Sequence, residues 1–295
     1  MDIVHHALIG GVGYTVLAST NHELAGVAFL AGSVLPDADV AFMAFGKRFY
    51  LKNHQGPTHS LLLSPLYALL AIVPLFFLTG FEWLPFLAVL AGFFIHYALD
   101  LTNTFGISLF WPIDPKRISF DAVFFIDFLT WTITVCFFIA TYIFRLNIMN
   151  TFYVYLLIVI AYLLIKFFLH KKVVNDLHCS YAIPSSINPV EYFILDDSGD
   201  PIKTYLYNVV TGKKKSEQTY DRPDMKYIDM ANRSMTFNDM KIITKALHIT
   251  NVSDDDNGTT IISQDLAVRN FGGKFGKTTL RFDREGKLIH EMANI

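Results

Sequence analysis

Apolar and polar positions divide the chain into two regions. Up to about residue 170 long apolar runs alternate with short polar gaps, and beyond it short alternating stretches take over. The first run covers Ile3–Ala18 and the second Leu24–Phe45, the latter broken by Leu35-Pro36-Asp37-Ala38-Asp39. Both fall short of the ~20 uninterrupted residues of a spanning helix. They read as a helical hairpin with a break near one membrane face. Firmer runs follow at Leu61–Thr79 and Trp83–Leu101, joined by a tight Gly80-Phe81-Glu82 turn. Ala122–Phe144 and Phe152–Leu169 complete the series. The expected fold is mainly α. A polytopic helical membrane domain of about five to six helices, residues 1–172, precedes a small α+β domain, residues 180–295.

In the second region the period changes from helical to strand-like. Glu191–Leu195 and Ile202–Val210 flank the turn signal D-D-S-G-D-P, and Thr278–Phe282 and Lys287–Glu291 flank D-R-E-G. Each pair predicts an antiparallel hairpin. Thr236–Leu247 predicts a helix capped by Thr236 or Asn238. No internal repeat is visible.

Composition supports the division. The chain is 53% hydrophobic and only 17% charged, against about 25% charged in soluble domains. A formal charge of −2 gives no reason to expect nucleic acid as a partner. Cys136 and Cys179 form neither a disulfide framework nor a zinc ribbon, so any metal must be held by histidine and carboxylate. The N-terminus lacks a basic n-region and a cleavage site, and is expected to stay in the mature protein. Basic residues set the orientation. Lys47, Arg48 and Lys52, then Lys116 and Arg117, then Lys171 and Lys172 fall in alternate gaps, while the opposite gaps hold only Arg145. With six spans these basic gaps and the C-terminal domain are cytoplasmic.

The same face collects the ionisable residues. His5 and His6 begin the first run, and Asp37 and Asp39 lie toward the end of the second. His54 and His59 bracket Gly56-Pro57 in N-H-Q-G-P-T-H-S, residues 53–60, where Gly-Pro stops any helix. His96 and Asp100, spaced i, i+4, share one helix face. An isolated pair of that kind more often ties helices together than binds metal. Inside an apolar run, however, ionisable groups are costly and mark function, and metal is favoured. Asp37 and Asp39 cannot share a helix face, but after Pro36 both can turn inward, one to bridge metals or act as base and the other to orient a ligand. A helix cap explains one of these aspartates and leaves the second. His6 is preferred to His5 because Gly10, four residues on, allows close packing on its face, whereas His5 points about 100° away.

Weaker candidates remain. Asp121 is a candidate cap for the fifth run, and the deeper Asp127 needs a partner. Lys116 follows the positive-inside bias, and Arg117 serves either that bias or a phosphate. The D-D-D-N-G run at 254–258 lacks the later Glu of a calcium loop and reads as a solvated turn. His22 reads as a surface residue in a turn, His170 and His178 as headgroup-facing, and His248 and His290 receive no role.

Taken together, His6…Gly10, L-P-D-A-D, H-Q-G-P-T-H-S and H-Y-A-L-D resemble the YdjM family of membrane-bound metal-dependent hydrolases, also described as LexA-binding and inner-membrane-associated. T-N-T-F-G-I-S-L-F-W-P, residues 102–112, extends the resemblance, which covers about residues 1–130. It implies a fold related to zinc-dependent phospholipase C and the single-strand-specific nucleases, helical phosphodiesterases with His and Asp metal ligands. By matching motif it implies His6, Asp37, His59, His96 and Asp100 as ligands. Asp100 would bridge two ions, and Asp37 would be ligand or base. Asp39 and His54 match the family pattern and are candidate catalytic or substrate-facing residues. This chain lacks a second, downstream His-x-x-x-Glu, so two ions are expected, zinc first and manganese as the alternative.

The expectation is therefore a metal-dependent phosphoesterase of the bacterial cytoplasmic membrane, acting on a lipid or phosphorylated substrate from the inner leaflet. Two other classes compete. A proton-coupled transporter also uses intramembrane His and Asp and broken spans, but its polar residues would track across the bilayer. A membrane-anchored regulator would act through residues 180–295 alone.

Overall fold

The computed structural model describes residues 2–80, 82–267 and 276–294. Phe81 of the expected 80–82 turn lies outside them. The chain divides into two compact units. One comprises Met1–Ala44, Asn53–Lys171 and Pro184–Pro189, and the other Phe45–Lys52, Lys172–Ile183 and Val190–Ile295.

In the first unit α1 spans Ile3–Ala18. Asp2 caps it, its carboxylate accepting from the Val4 and His5 amides at 3.1 Å each, which satisfies two of the orphan donors of a helix start. Helix α2, Glu23–Val34, stops where Pro36 removes an N–H, and the chain tightens into a 3-10 helix, Leu35–Phe45. A short helix α3, Lys47–Asn53, belongs to the second unit through Lys52; after it a 3-10 turn, Pro57–His59, leads into α4, Ser64–Thr79. Helix α5 covers Trp83–Thr102. Helix α6, Phe128–Phe138, ends in a π-helical turn, Ile139–Ile143, and α7 covers Ile148–Leu177.

The core of this unit is built on small residues. Ala25, Ala28, Ala68 and Ala88 are buried with Ile72, Val89, Phe93 and Tyr97. Where α2 crosses α5 the backbones nearly touch. A Cβ on Gly32 would lie 2.3 Å from the Val89 carbonyl oxygen, and one on Gly92 would lie 2.5 Å from that of Phe29. Small residues at a helix crossing permit this approach in a membrane environment, where apolar burial alone gives helices little reason to associate.

Among the described residues three helical segments are long and apolar enough to cross a membrane: Glu23–Phe45, Trp83–Thr102 and Ile148–Leu177. A bent pair, Lys47–His59 with Ser64–Phe77, makes a fourth if taken as one broken span. Ile3–Ala18 and Phe128–Ile143 are shorter apolar helices. The count is thus three to four where the apolar runs alone predicted up to six. The fifth run accounts for part of the difference, because its first residues are not helical. Residues 103–127 fold as an irregular segment, pinned by the bridges Asn103↔Val123 and Ile107↔Ile118. The cap of α6 is consequently Asp127, whose Oδ1 accepts from the Thr130 amide at 2.9 Å. Asp121 sits at a positive φ of 51° and accepts from Ser119 instead. Asp127 also has the partner its depth requires, Tyr162, whose hydroxyl donates at 2.9 Å.

The second unit holds two four-stranded antiparallel sheets. One has β1 (Tyr181–Pro184), β2 (Glu191–Asp196), β3 (Ile202–Asn208) and β4 (Lys214–Tyr220) in sequential order. The other has β5 (Leu247–Asp255), β6 (Gly258–Asp265), β7 (Lys277–Phe282) and β8 (Leu288–Asn294). Both expected hairpins are present, β2 with β3 and β7 with β8. Helices α8 (Met225–Asn232) and α9 (Met235–Ile243) join the sheets in sequence. Ser234, not Thr236 or Asn238, caps α9 by accepting from the Phe237 amide at 3.0 Å. That helix ends at Ile243, before Leu247, which opens β5. The D-D-D-N-G run makes the β5–β6 turn, with Asp255 paired to Gly258.

Candidate metal centre

Four residues from three segments of the first unit converge on one buried point. Asp37 comes from the 3-10 helix after Pro36, His59 from the turn before α4, and His96 and Asp100 from α5. One donor atom from each lies within 4.8 Å of all the others. His59, His96 and Asp100 are fully buried, and the Asp37 side chain is 12% exposed.

The hydrogen bonds around the two imidazoles fix their tautomers. His96 Nδ1 lies 2.8 Å from the Ser33 carbonyl oxygen, which can only accept. Nδ1 therefore carries the proton and Nε2 a lone pair. Pro36 brings no N–H to the carbonyls one turn back, leaving Ser33 ready to accept. His59 Nδ1 lies 3.0 Å from the Thr58 hydroxyl oxygen. That hydroxyl donates to Asp39 Oδ2 at 3.2 Å, so it accepts from His59, and His59 Nε2 is also bare.

The two bare Nε2 atoms face each other at 3.1 Å. Asp37 Oδ1 is 3.7 and 3.6 Å from them, and Asp100 Oδ2 is 3.2 and 3.4 Å away. Four electron-rich atoms meeting in a buried space need positive charge among them. Bonds of about 2.1 Å to a tetrahedral ion put its donors about 3.4 Å apart. Five of the six separations, 3.1 to 3.7 Å, bracket that edge, and the group can hold a metal ion.

His6 reaches the cluster through Asp100 and is not one of the four converging donors. Its Nε2 lies 3.1 Å from Asp100 Oδ1, and its ring stacks on His96 at 3.6 Å between centroids. Gly10 packs as its spacing predicts, since a Cβ there would meet Leu30 Cδ1 at 2.7 Å and Ser33 Cβ at 3.1 Å. His5 is as buried as His6, although the helical wheel turns it away from the His6 face. Nδ1 of each has no hydrogen-bond partner among the described residues.

Asp39 and His54 meet each other on a different axis. Asp39 Oδ1 lies 3.0 Å from His54 Nδ1, and Oδ2 accepts from the Gln55 amide at 2.8 Å as well as from Thr58. Asp37 and Asp39 thus both turn inward, as the broken segment predicts, and they diverge: one faces the cluster and the other straps the 54–58 loop. Arg117 fastens the same loop, donating to the His54 carbonyl at 2.7 Å and to Gln55 Oε1 at 3.0 Å.

Several supporting groups are absent from the sequence reading. Asn103 Nδ2 donates to Asp100 Oδ1 at 3.1 Å, and its spacing, i+3 from Asp100, is a signal that was available. Thr58 and Gln55 lie inside the two-histidine loop but carry no ligand chemistry that would single them out. Tyr97, beside His96, donates to the Thr58 carbonyl at 3.1 Å.

A family model described as YdjM inner membrane protein matches residues 1–173. Comparisons with curated proteins and with solved structures return no match.

Proposed function

We propose, for a chain that belongs to the YdjM inner membrane protein family, a metal-dependent phosphoesterase working at the cytoplasmic face of the membrane. The observation that carries the reading is the convergence of Asp37, His59, His96 and Asp100 within 4.8 Å. A buried set of imidazole and carboxylate donors favours zinc, with manganese second. A bound divalent ion lowers the pKa of its water and draws charge from a phosphoryl oxygen.

The chain's own groups supply the rest. Asp37, His59, His96 and Asp100 would hold one ion. Asp100 also turns Oδ1 toward His6, and that pair would hold a second ion. Asp37 Oδ2, buried and without a hydrogen-bond partner, is assigned the proton of the attacking water. His54 is 26% exposed and is held through Nδ1 by Asp39. It is assigned delivery of a proton to the leaving oxygen. Asp39, Gln55 and Arg117 act by positioning, since each holds the loop that presents His54 and His59.

Turnover tests the reading. Purified full-length protein loaded with zinc or manganese should hydrolyse a chromogenic phosphodiester, and a chelator should abolish this. Asp100→Asn should lower turnover at least about 100-fold, the scale of losing one group that stabilises transition-state charge. Turnover that survives chelation, or that Asp100→Asn leaves unchanged, contradicts the proposal. Proton-coupled flux in proteoliposomes without any hydrolysis would favour a carrier.

A further inference from the structure

An apolar groove of about 420 Å³ is lined by residues that neighbour the cluster in sequence. Leu35, Phe42, Tyr67, Leu70, Ala71 and Phe93 supply most of its wall, and the volume falls within the range of small-molecule sites. It reaches the segments that carry the candidate centre. Pro36 and Thr58 line it, and each immediately precedes a cluster residue, Asp37 or His59. Phe93 stands one helical turn before His96 on α5.

Its outer walls belong to segments that qualify as membrane spans. Leu35 and Phe42 lie in Glu23–Phe45, Phe93 in Trp83–Thr102, and Tyr67, Leu70 and Ala71 in the bent pair. Leu35 and Leu70 are 40% and 59% exposed, as expected of side chains that face lipid. A water-soluble phosphoester has no use for such a wall. An amphiphile does, because it brings a charged headgroup and a hydrocarbon tail to one place. The cluster and its Asn53–Ser60 loop offer polar groups to the head, and the groove offers almost only carbon to the tail.

We infer that the groove binds one long acyl chain of a phosphorylated membrane lipid whose headgroup lies at the His/Asp cluster. The inference rests on the phosphoesterase reading and narrows its substrate to an amphiphile. The chain enters between the 3-10 helix and α4, and Ala71 leaves room for it.

Photocrosslinking tests this without relying on turnover. Full-length protein is placed in phosphatidylcholine nanodiscs with a long-chain phosphatidic acid that carries a diazirine in its acyl tail, and adducts are mapped by mass spectrometry. Labelling of Leu35–Phe42 and Tyr67–Ala71 should exceed that of Ile143 and Leu157 by about tenfold, as a site must outcompete bulk lipid contact. Ile143 and Leu157 are exposed apolar residues outside the groove. Groove labelling should fall when unlabelled phosphatidic acid replaces phosphatidylcholine at constant total lipid. It should be lost in Ala71→Trp, which fills the groove, with background labelling as the control for folding. Uniform labelling, labelling that phosphatidic acid does not displace, or a crosslink to a second copy of the chain would each overturn the inference. Displaceable groove labelling without turnover of a phosphodiester or of phosphatidic acid would uphold the lipid site and sink the phosphoesterase reading. Turnover without displaceable labelling would do the reverse.

Discussion

Thr58 carries a proton network into the cluster. Its hydroxyl accepts from His59 Nδ1 and donates to Asp39, which keeps His59 Nε2 bare toward the other donors. Groups that orient a metal-bound imidazole typically contribute 10- to 100-fold in affinity. Thr58→Val keeps the shape and removes the hydroxyl. It should weaken zinc binding by about that factor in a chelator competition, and Thr58→Ser should restore it. Unchanged affinity in Thr58→Val would remove Thr58 from the account. At this scale the sequence identifies the ionisable residues and not their roles. His54 and His59 look equivalent in N-H-Q-G-P-T-H-S, yet one lies in the cluster and the other on Asp39. The partner of His96 is a backbone carbonyl, which has no residue-type signal at all. It is Pro36, two residues after Val34, that makes the carbonyl available.

Helix placement sets the distances that the side chains exploit. The α2–α5 crossing brings the Ser33 carbonyl to His96, and Gly32 and Gly92 allow it. A Cβ on Gly92 would lie 2.5 Å from the Phe29 carbonyl oxygen and 2.8 Å from the Ser33 amide nitrogen. Both obstacles are backbone, so no rotamer change relieves them, and the helices must part. Gly92→Ala should therefore cost about 1–3 kcal/mol of stability, the usual range for overpacking. It should also weaken metal binding by pulling Ser33 from His96. Gly199→Ala, in an open turn, is the control. A Gly92→Ala protein with unchanged thermal midpoint and metal affinity would show that the crossing tolerates separation.

Periodicity is informative about such elements where one environment dominates. The run Ile3–Ala18 coincides with α1 because Asp2 caps it and lipid-compatible residues fill it. The expected helix from Ala122 fails until Phe128, because residues 103–127 are held by side-chain turns and two bridges. In that segment the Asn103 side-chain oxygen accepts from the Phe105 and Gly106 amides, an arrangement that apolar counting does not register. Strand β4 was equally invisible. Lys214–Tyr220 is exposed along nearly its whole length, so it shows no alternation to read.

Across the whole molecule the division into an apolar helical region and a charged β-rich region is legible from composition alone. The family match over residues 1–173 agrees with where the apolar character ends. What composition overstates is the number of crossings. Short apolar helices such as Ile3–Ala18 serve the centre as much as the bilayer, since α1 delivers His6 to Asp100. A helical region that invests four segments in one buried His/Asp cluster is organised around that cluster.

The most direct test is anomalous scattering from crystals of the full-length protein, recorded above and below the zinc and manganese edges. The account predicts a peak among Asp37, His59, His96 and Asp100, a second beside Asp100 Oδ1 and His6, and loss of both in a His59→Ala, Asp100→Asn double variant. A wild-type map with no anomalous peak there, from protein purified with zinc and manganese present, would contradict it.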